Sequence, residues 1–301
     1  MPSHSLIPPS FPHALRHAFP FAAIDLMTRK KVAVKLETTA NKKAGHLERE
    51  FKTYQLIQGG PGMPNAYHLG PYTTQYTALV MELLGPSLKM LHEENDSRFS
   101  PSTVANIAIQ LLDRFEDVKP DNFLIGRGRK AILVHVIDFG LAKYYWDVAA
   151  DKPFPFRETT SITGTVRYMS INSHMGVEQS RRDDLQALGY MFMFLLKGTL
   201  PWQGLKFAET REKYERIMER KMAVSPEELC YGHHPEFASF LKYTRSLSFY
   251  DAPDYNYMRG LFQVPLYTKH NIGAAAPSDV RHKVFAHRTA QALQSKPTRY
   301  Q

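Results

Sequence analysis

Apolar and polar positions alternate through Lys31-Val32-Ala33-Val34-Lys35-Leu36-Glu37, which predicts a β-strand. One face carries Val32, Val34 and Leu36; the other carries Ala33, Lys35 and Glu37. An earlier short strand is expected from Phe21, joined to this one at Thr28-Arg29-Lys30. From His46 to Ile57 the period changes to a helical one, with Leu47, Phe51, Tyr54 and Leu56 lining a broad apolar side. Glycines and prolines at 59–64 end that helix, and Tyr76–Leu84 reads as another apolar strand, stopped by Gly85-Pro86.

Further on, helical spacing takes over. Ser100-Pro101 opens a helix as cap and first-turn proline, followed by Val104, Ile107, Ala108, Leu111, Leu112 and Phe115 at steps of three and four. Beyond Asp184 the chain is mostly helical, with Trp202 in a Pro-Trp-Gln-Gly turn, and after Pro265 the periodicity fades. There are no internal repeats. The pattern predicts an irregular Pro/His-rich segment over 1–20, a small strand-rich part over 21–84, and a larger helical part over 85–263. A flexible basic tail is expected over 264–301, whose only acid is Asp279. This is an α+β chain in two lobes, and a cleft between lobes is where a small ligand is expected.

Composition narrows the partners. Lys and Arg outnumber Asp and Glu by 38 to 29, a formal charge of +9, which favours acidic or phosphorylated proteins, nucleic acid or a membrane surface. A lone cysteine, Cys230, rules out an internal disulfide and fits a reducing compartment, cytoplasmic or nuclear. No apolar run is long enough to span a bilayer, and prolines at 2, 8, 9, 12 and 20 break any signal-like segment.

The candidate chemistry lies in three places. A β-branched run, Ala131-Ile132-Leu133-Val134-His135-Val136, stops at Ile137-Asp138-Phe139-Gly140 and so delivers one carboxylate to the end of a strand. Upstream stands Asp117-Val118-Lys119-Pro120-Asp121-Asn122, and far upstream Lys35. Together they supply what a nucleoside triphosphate needs. Lys35 is placed for the phosphates, Asp138 and Asn122 offer hard oxygens to Mg²⁺, and Asp117 is the acceptor for a hydroxyl proton. Lys119 could neutralise charge on a transferred phosphoryl group. Glu50, on the predicted helix, could fix the lysine side chain if that helix packs on the strand. Taken singly, Lys35 reads as a solvated strand residue and Asp117, Asp121 and Asn122 as a polar turn around Pro120; their order in the chain favours the functional reading. Gly59-Gly60-Pro61-Gly62 follows a helix rather than opening one and is read as a connector.

These segments resemble the casein kinase I family of serine/threonine kinases. The resemblance is carried by Val32 to Glu37, Met81-Glu82-Leu83-Leu84-Gly85-Pro86-Ser87-Leu88, Asp117 through Leu124, and Asp138-Phe139-Gly140-Leu141-Ala142-Lys143. Thr163-Gly164-Thr165-Val166-Arg167-Tyr168, Ser170-Ile171-Asn172 in place of the Ala-Pro-Glu of most kinases, Glu178 to Leu185, and Leu200 to Lys206 complete it. It implies the bilobal protein kinase fold, with a reduced β-rich N-lobe and a mainly α-helical C-lobe. It also implies ATP-dependent phosphorylation of protein Ser/Thr, with ATP and Mg²⁺ as cofactors. Met81 would be the gatekeeper, the backbone of Glu82 and Leu84 would hold adenine, and Asp184 would brace the catalytic loop. Arg167, Gly204 and Lys213 match an anion site, which implies acidic or already phosphorylated protein substrates; a monomer without a specific nucleic-acid partner is a separate expectation.

Three departures accompany the match. No glycine occurs in residues 11–24, where a phosphate-covering loop would stand, and the prolines at 12 and 20 have no N–H to donate. Phe115-Glu116 runs straight into Asp117, without the family's His-Arg, so the helix from Ser100 must shorten, shift or fray. After Phe262 the family's closing helix gives way to the basic tail. A catalytically dead pseudokinase serving as a scaffold is the competing expectation; a basic nucleic-acid binder rests on charge alone.

Overall fold

The alternating segments pair into a single antiparallel sheet. In the computed structural model, which describes residues 6–7, 20–40, 45–112, 118–147, 149–158 and 163–267, the strands are β1 (Leu6–Ile7), β2 (Phe21–Asp25), β3 (Lys31–Thr38), β4 (Ala66–Thr73) and β5 (Tyr76–Glu82). Their order is β1-β2-β3-β5-β4. The β2–β3 turn is set by Asp25, whose carboxylate accepts from the Met27 N–H at 2.9 Å and the Thr28 hydroxyl at 2.6 Å. Ala23, Val32, Val34, Ala78 and Val80 form the buried face of the sheet, so the apolar side of β3 is the one its alternation predicts.

Sequence reading expects 1–20 to be irregular. Within it, Leu6–Ile7 instead pairs with Asp25 and Ile24, covering an edge of β2 that would otherwise leave its backbone groups unpaired. The N-lobe is reduced as expected, its first strand being two residues long, but five strands are present. The glycine-free stretch from 11 to 19 lies outside the described residues.

Helix α1 (His46–Ile57) packs on β3, β4 and β5. Its buried stripe is Leu47, Glu50 and Tyr54. Leu56, expected on the apolar side, is 67% exposed, because two residues beyond Tyr54 a helix has turned to its opposite face. Two short strands, β6 (Phe123–Ile125) and β7 (Val134–Val136), form a second small sheet. The described chain divides into two units, and residues 123–142 group with the first, which otherwise ends at Pro86. The sequence pattern alone places that stretch in the larger helical part, 85–263. Backbone bonds from Gly85 N–H to Ile125 O, Ile125 N–H to Pro86 O and Val136 N–H to Gly62 O hold it to the first unit.

The second unit contains α2 (Leu88–Glu94), α3 (Pro101–Leu111), the β8–β9 hairpin (Trp146–Asp147 and Lys152–Pro153), α4 (Ile171–His174), α5 (Arg181–Lys197), α6 (Thr210–Ala223), α7 (Pro226–Cys230), α8 (Pro235–Ser246) and α9 (Tyr255–Tyr267). α3 stops at Leu111, short of Phe115, and residues 113–117 lie outside the described residues. α5 is buried continuously from Leu185 to Leu196 and is the unit's central rod. Gly189 lets α8 approach it: a Cβ there would stand 2.5 Å from Leu241 Cδ2. Phe192, Phe237, Phe240 and Phe262 interlock at 5.1–5.8 Å between ring centroids, fastening α9 to this core. α9 passes the expected tail boundary at 264 and includes Pro265 within its last turn. Residues 268–301 lie outside the described residues. No described helix is long and apolar enough to cross a membrane.

Candidate active site

Alternation along β3 turns Lys35 away from the apolar cluster and toward α1, where the buried stripe presents Glu50. Lys35 Nζ lies 2.7 Å from Glu50 Oε2 and 3.0 Å from Asp138 Oδ1. The three stand in one unit, brought there by a strand, a helix and the loop after β7. Burial acts to lower the Lys35 pKa, but the two carboxylates outweigh it and hold the ammonium above its ordinary value. Glu50 is more deeply buried than its partner, 2% exposed against 21%. Burial therefore pushes its carboxyl up despite the pull of Lys35.

Two further side chains fix this arrangement, and sequence reading did not single them out. Tyr54, one helical turn beyond Glu50, accepts the backbone N–H of Asp138 on its hydroxyl at 3.1 Å, and its ring meets Phe139 edge-on at 5.0 Å. Burial, reinforced by the Glu50 charge, drives its phenol well above the usual value. Glu37, two residues beyond Lys35 on the same face of β3, receives the N–H groups of Gly45 and His46, both at 3.0 Å. Gly45 caps α1 without a side chain, so the Glu37 carboxylate serves as the cap from outside and ties strand to helix. Both residues had a readable signal: the i, i+4 step from Glu50 and the i, i+2 step from Lys35. Asp138 holds φ 70, in the left-handed region.

Met81 is buried in β5 opposite Ala33 and Ala66. The Glu82 side chain receives Asn65 Nδ2 at 3.0 Å and Lys130 Nζ at 3.1 Å. Burial opposes ionisation there, yet Lys130 and the Asn65 N–H hold the carboxyl below its ordinary range. These bonds anchor the end of β5, from which the chain runs through the buried Leu84 to Gly85.

The remaining candidates belong to the second unit. Asp117 lies outside the described residues. Lys119 and the buried Asn122 flank a short 3₁₀ turn in which Asn122 N–H donates to Lys119 O at 3.0 Å. Asp184 is half-buried in the first turn of α5. Its neighbour Asp183, not singled out from sequence, is 2% exposed and accepts from Ser170 Oγ at 2.7 Å, Asn172 Nδ2 at 3.0 Å and the Ser180 N–H at 2.8 Å. It thus fastens the Ser-Ile-Asn segment to the start of α5.

Arg167 is exposed in the loop before α4, its guanidinium 5.2 Å above the Phe194 ring. Gly204 holds φ 75 in the turn after Trp202, and Lys213 is exposed on α6. Trp202 Nε1 donates to Arg167 O at 2.8 Å, linking the Gly204 turn to the Arg167 loop.

A small antiparallel sheet with one helix, followed by a mostly helical unit, defines the bilobal kinase class of α+β protein. The family comparison agrees: the model for the protein kinase domain matches residues 20–247, and the chain belongs to that family. Membership implies ATP as phosphoryl donor, typically with Mg²⁺, and protein as acceptor.

Proposed function

We propose that this chain is an ATP-dependent serine/threonine protein kinase of casein kinase I type, favouring acidic or already phosphorylated acceptors. The observation that carries the reading is Lys35 Nζ held between Glu50 and Asp138 at 2.7 and 3.0 Å. A lysine meant for phosphate oxygens must have its flexible stem fixed, and a buried carboxylate does this. The subclass rests on the motifs Met81 to Leu88, Asp138 to Lys143 and Thr163 to Tyr168.

In this reading Lys35 binds the phosphates, Met81 borders the adenine, and the backbone of Glu82 and Leu84 hydrogen-bonds it. The acceptor hydroxyl oxygen forms a bond to the terminal phosphorus as the bond to the ADP oxygen breaks. Asp117 takes the hydroxyl proton, and Lys119 offsets charge on the moving group. The Asn122 amide and Asp138 carboxylate are hard oxygen donors of the kind Mg²⁺ takes, and they would hold the ion, which neutralises phosphate charge when bound. Arg167 and Lys213, with the Gly204 turn, would receive an acidic or phosphorylated side chain. The lone thiol of Cys230 suits a reducing compartment, cytoplasm or nucleus.

The test is transfer of labelled phosphate from Mg-ATP to acidic peptides, with Asp138→Asn as control. Transfer by the wild type alone supports the proposal; identical behaviour of the two sinks it. One observation favours a second reading, a catalytically impaired scaffold: residues 11–24 hold no glycine, and Phe115-Glu116 stands where His-Arg precedes the family's aspartate. Absence of any thermal stabilisation at millimolar Mg-ATP would select it.

A further inference from the structure

Lys221 is the least expected side chain in the second unit. It sits on α6 four residues beyond Ile217, at the buried end of the helix, and is fully buried. Among the described residues no carboxylate pairs with it; its ordinary partner is replaced by backbone. Nζ donates to Met169 O at 2.7 Å and Val166 O at 2.9 Å, and lies 3.2 Å from His174 Nε2. The rings of Tyr190 and Trp202 wall it in at 5.1 and 5.3 Å.

Burying an amine without an opposite charge is unfavourable unless its hydrogens are used. A methionine would fill the same space at no such cost. The amine therefore marks a need for donors, and the acceptors show which. Residues 166–169 form neither helix nor strand. Their carbonyls are instead held by side chains: Val166 and Met169 by Lys221, and Arg167 between them by Trp202 Nε1 at 2.8 Å. Above this the Arg167 guanidinium rests on Phe194. Both protonation states of Lys221 carry at least two N–H groups, enough for the two carbonyls.

We infer that Lys221 is a positioning residue for acceptor recognition: by pinning Val166 and Met169 from beneath, it sets where Arg167 presents its guanidinium to an anionic group on the substrate. This rests on the proposed reading of Arg167 as a phosphate or carboxylate receptor. The pinning itself does not.

The experiment uses the full chain and two readouts: hydrogen exchange over 163–170, and fluorescence anisotropy with a phosphoserine peptide and its unphosphorylated twin. Lys221→Met keeps the stem and removes the donors. The expected result is exchange at Tyr168 and Met169 faster by about tenfold, and phosphopeptide binding weaker by about tenfold, with the twin unaffected. Trp202→Phe, which removes the bond to Arg167 O and trims the ring that walls in Lys221, is expected to move both readouts the same way and serves if Lys221→Met does not fold. Unchanged exchange in the folded variants overturns the inference. Arg167→Ala separates the two claims. If it leaves the preference for phosphopeptide intact, the anion reading fails, while the exchange arm still decides whether Lys221 holds the segment.

Discussion

His174 illustrates how one buried group writes a pH dependence into the fold. Burial, aided by the neighbouring Lys221, lowers its pKa from 6.5 to about 3. The folded protein therefore keeps it neutral, while the unfolded chain protonates near 6.5. Stability is complete above that value and declines as pH falls from 6.5 toward 3, because the unfolded state binds the proton first. Burial lowers His92 and His233 as well, so they act in the same direction. The decline from one such group is at most about 1.4 kcal/mol per pH unit. Urea midpoints measured from pH 7.5 to 4.5 should fall, and His174→Gln should flatten the curve. An unaltered slope in that variant would show that another group is responsible.

At the scale of elements, the helix that carries Glu50 depends on a cap supplied by a strand. Replacing Glu37 with Ala removes the acceptor of the Gly45 and His46 N–H groups. The expected loss is about 1 kcal/mol by chemical denaturation, with faster hydrogen exchange concentrated in the first turn of α1. Uniform exchange across the unit would contradict a capping role. Elements of this kind were legible where one period ran uninterrupted. The β3 alternation and the His46–Ile57 spacing gave strand, helix and the approach of Lys35 to Glu50. β4 was missed because Gly70-Pro71 interrupts its run and only Ala66 in it is buried, which blurs alternation. β6 was missed because three residues show no period. The tie between Tyr54 and the Asp138 backbone joins positions 84 apart in sequence, and no local pattern announces it. Lys221 was hidden for another reason: cations are ordinarily read as solvent-facing, and only its place on the stripe with Ile217 argued otherwise.

For the molecule as a whole, the single thiol is a built-in reporter. Cys230 is 3% exposed, and burial pushes its pKa up to about 12, so both access and thiolate are withheld. The native protein should resist iodoacetamide at pH 8, and full labelling should appear only as the second unit unfolds. Far-UV circular dichroism reports on both units together, so comparing the two signals in a urea titration tests whether the units unfold in concert. Coincident transitions indicate one cooperative system; labelling displaced from the dichroism change indicates two. Rapid labelling of native protein would contradict the burial described for α7.

The left-handed backbone at Asp138 bears on how an inactive form of this protein should be made. Asparagine adopts that conformation at least as readily as aspartate, whereas alanine does so at a penalty of about 1 kcal/mol or more. Truncation to alanine would thus remove the carboxylate and also bend the loop that follows β7, confounding lost chemistry with a relaxed chain. Asparagine isolates the charge. A melting curve for Asp138→Asn lowered only by the lost Lys35 ion pair, beside a still lower one for Asp138→Ala, would establish which of the two is the clean tool.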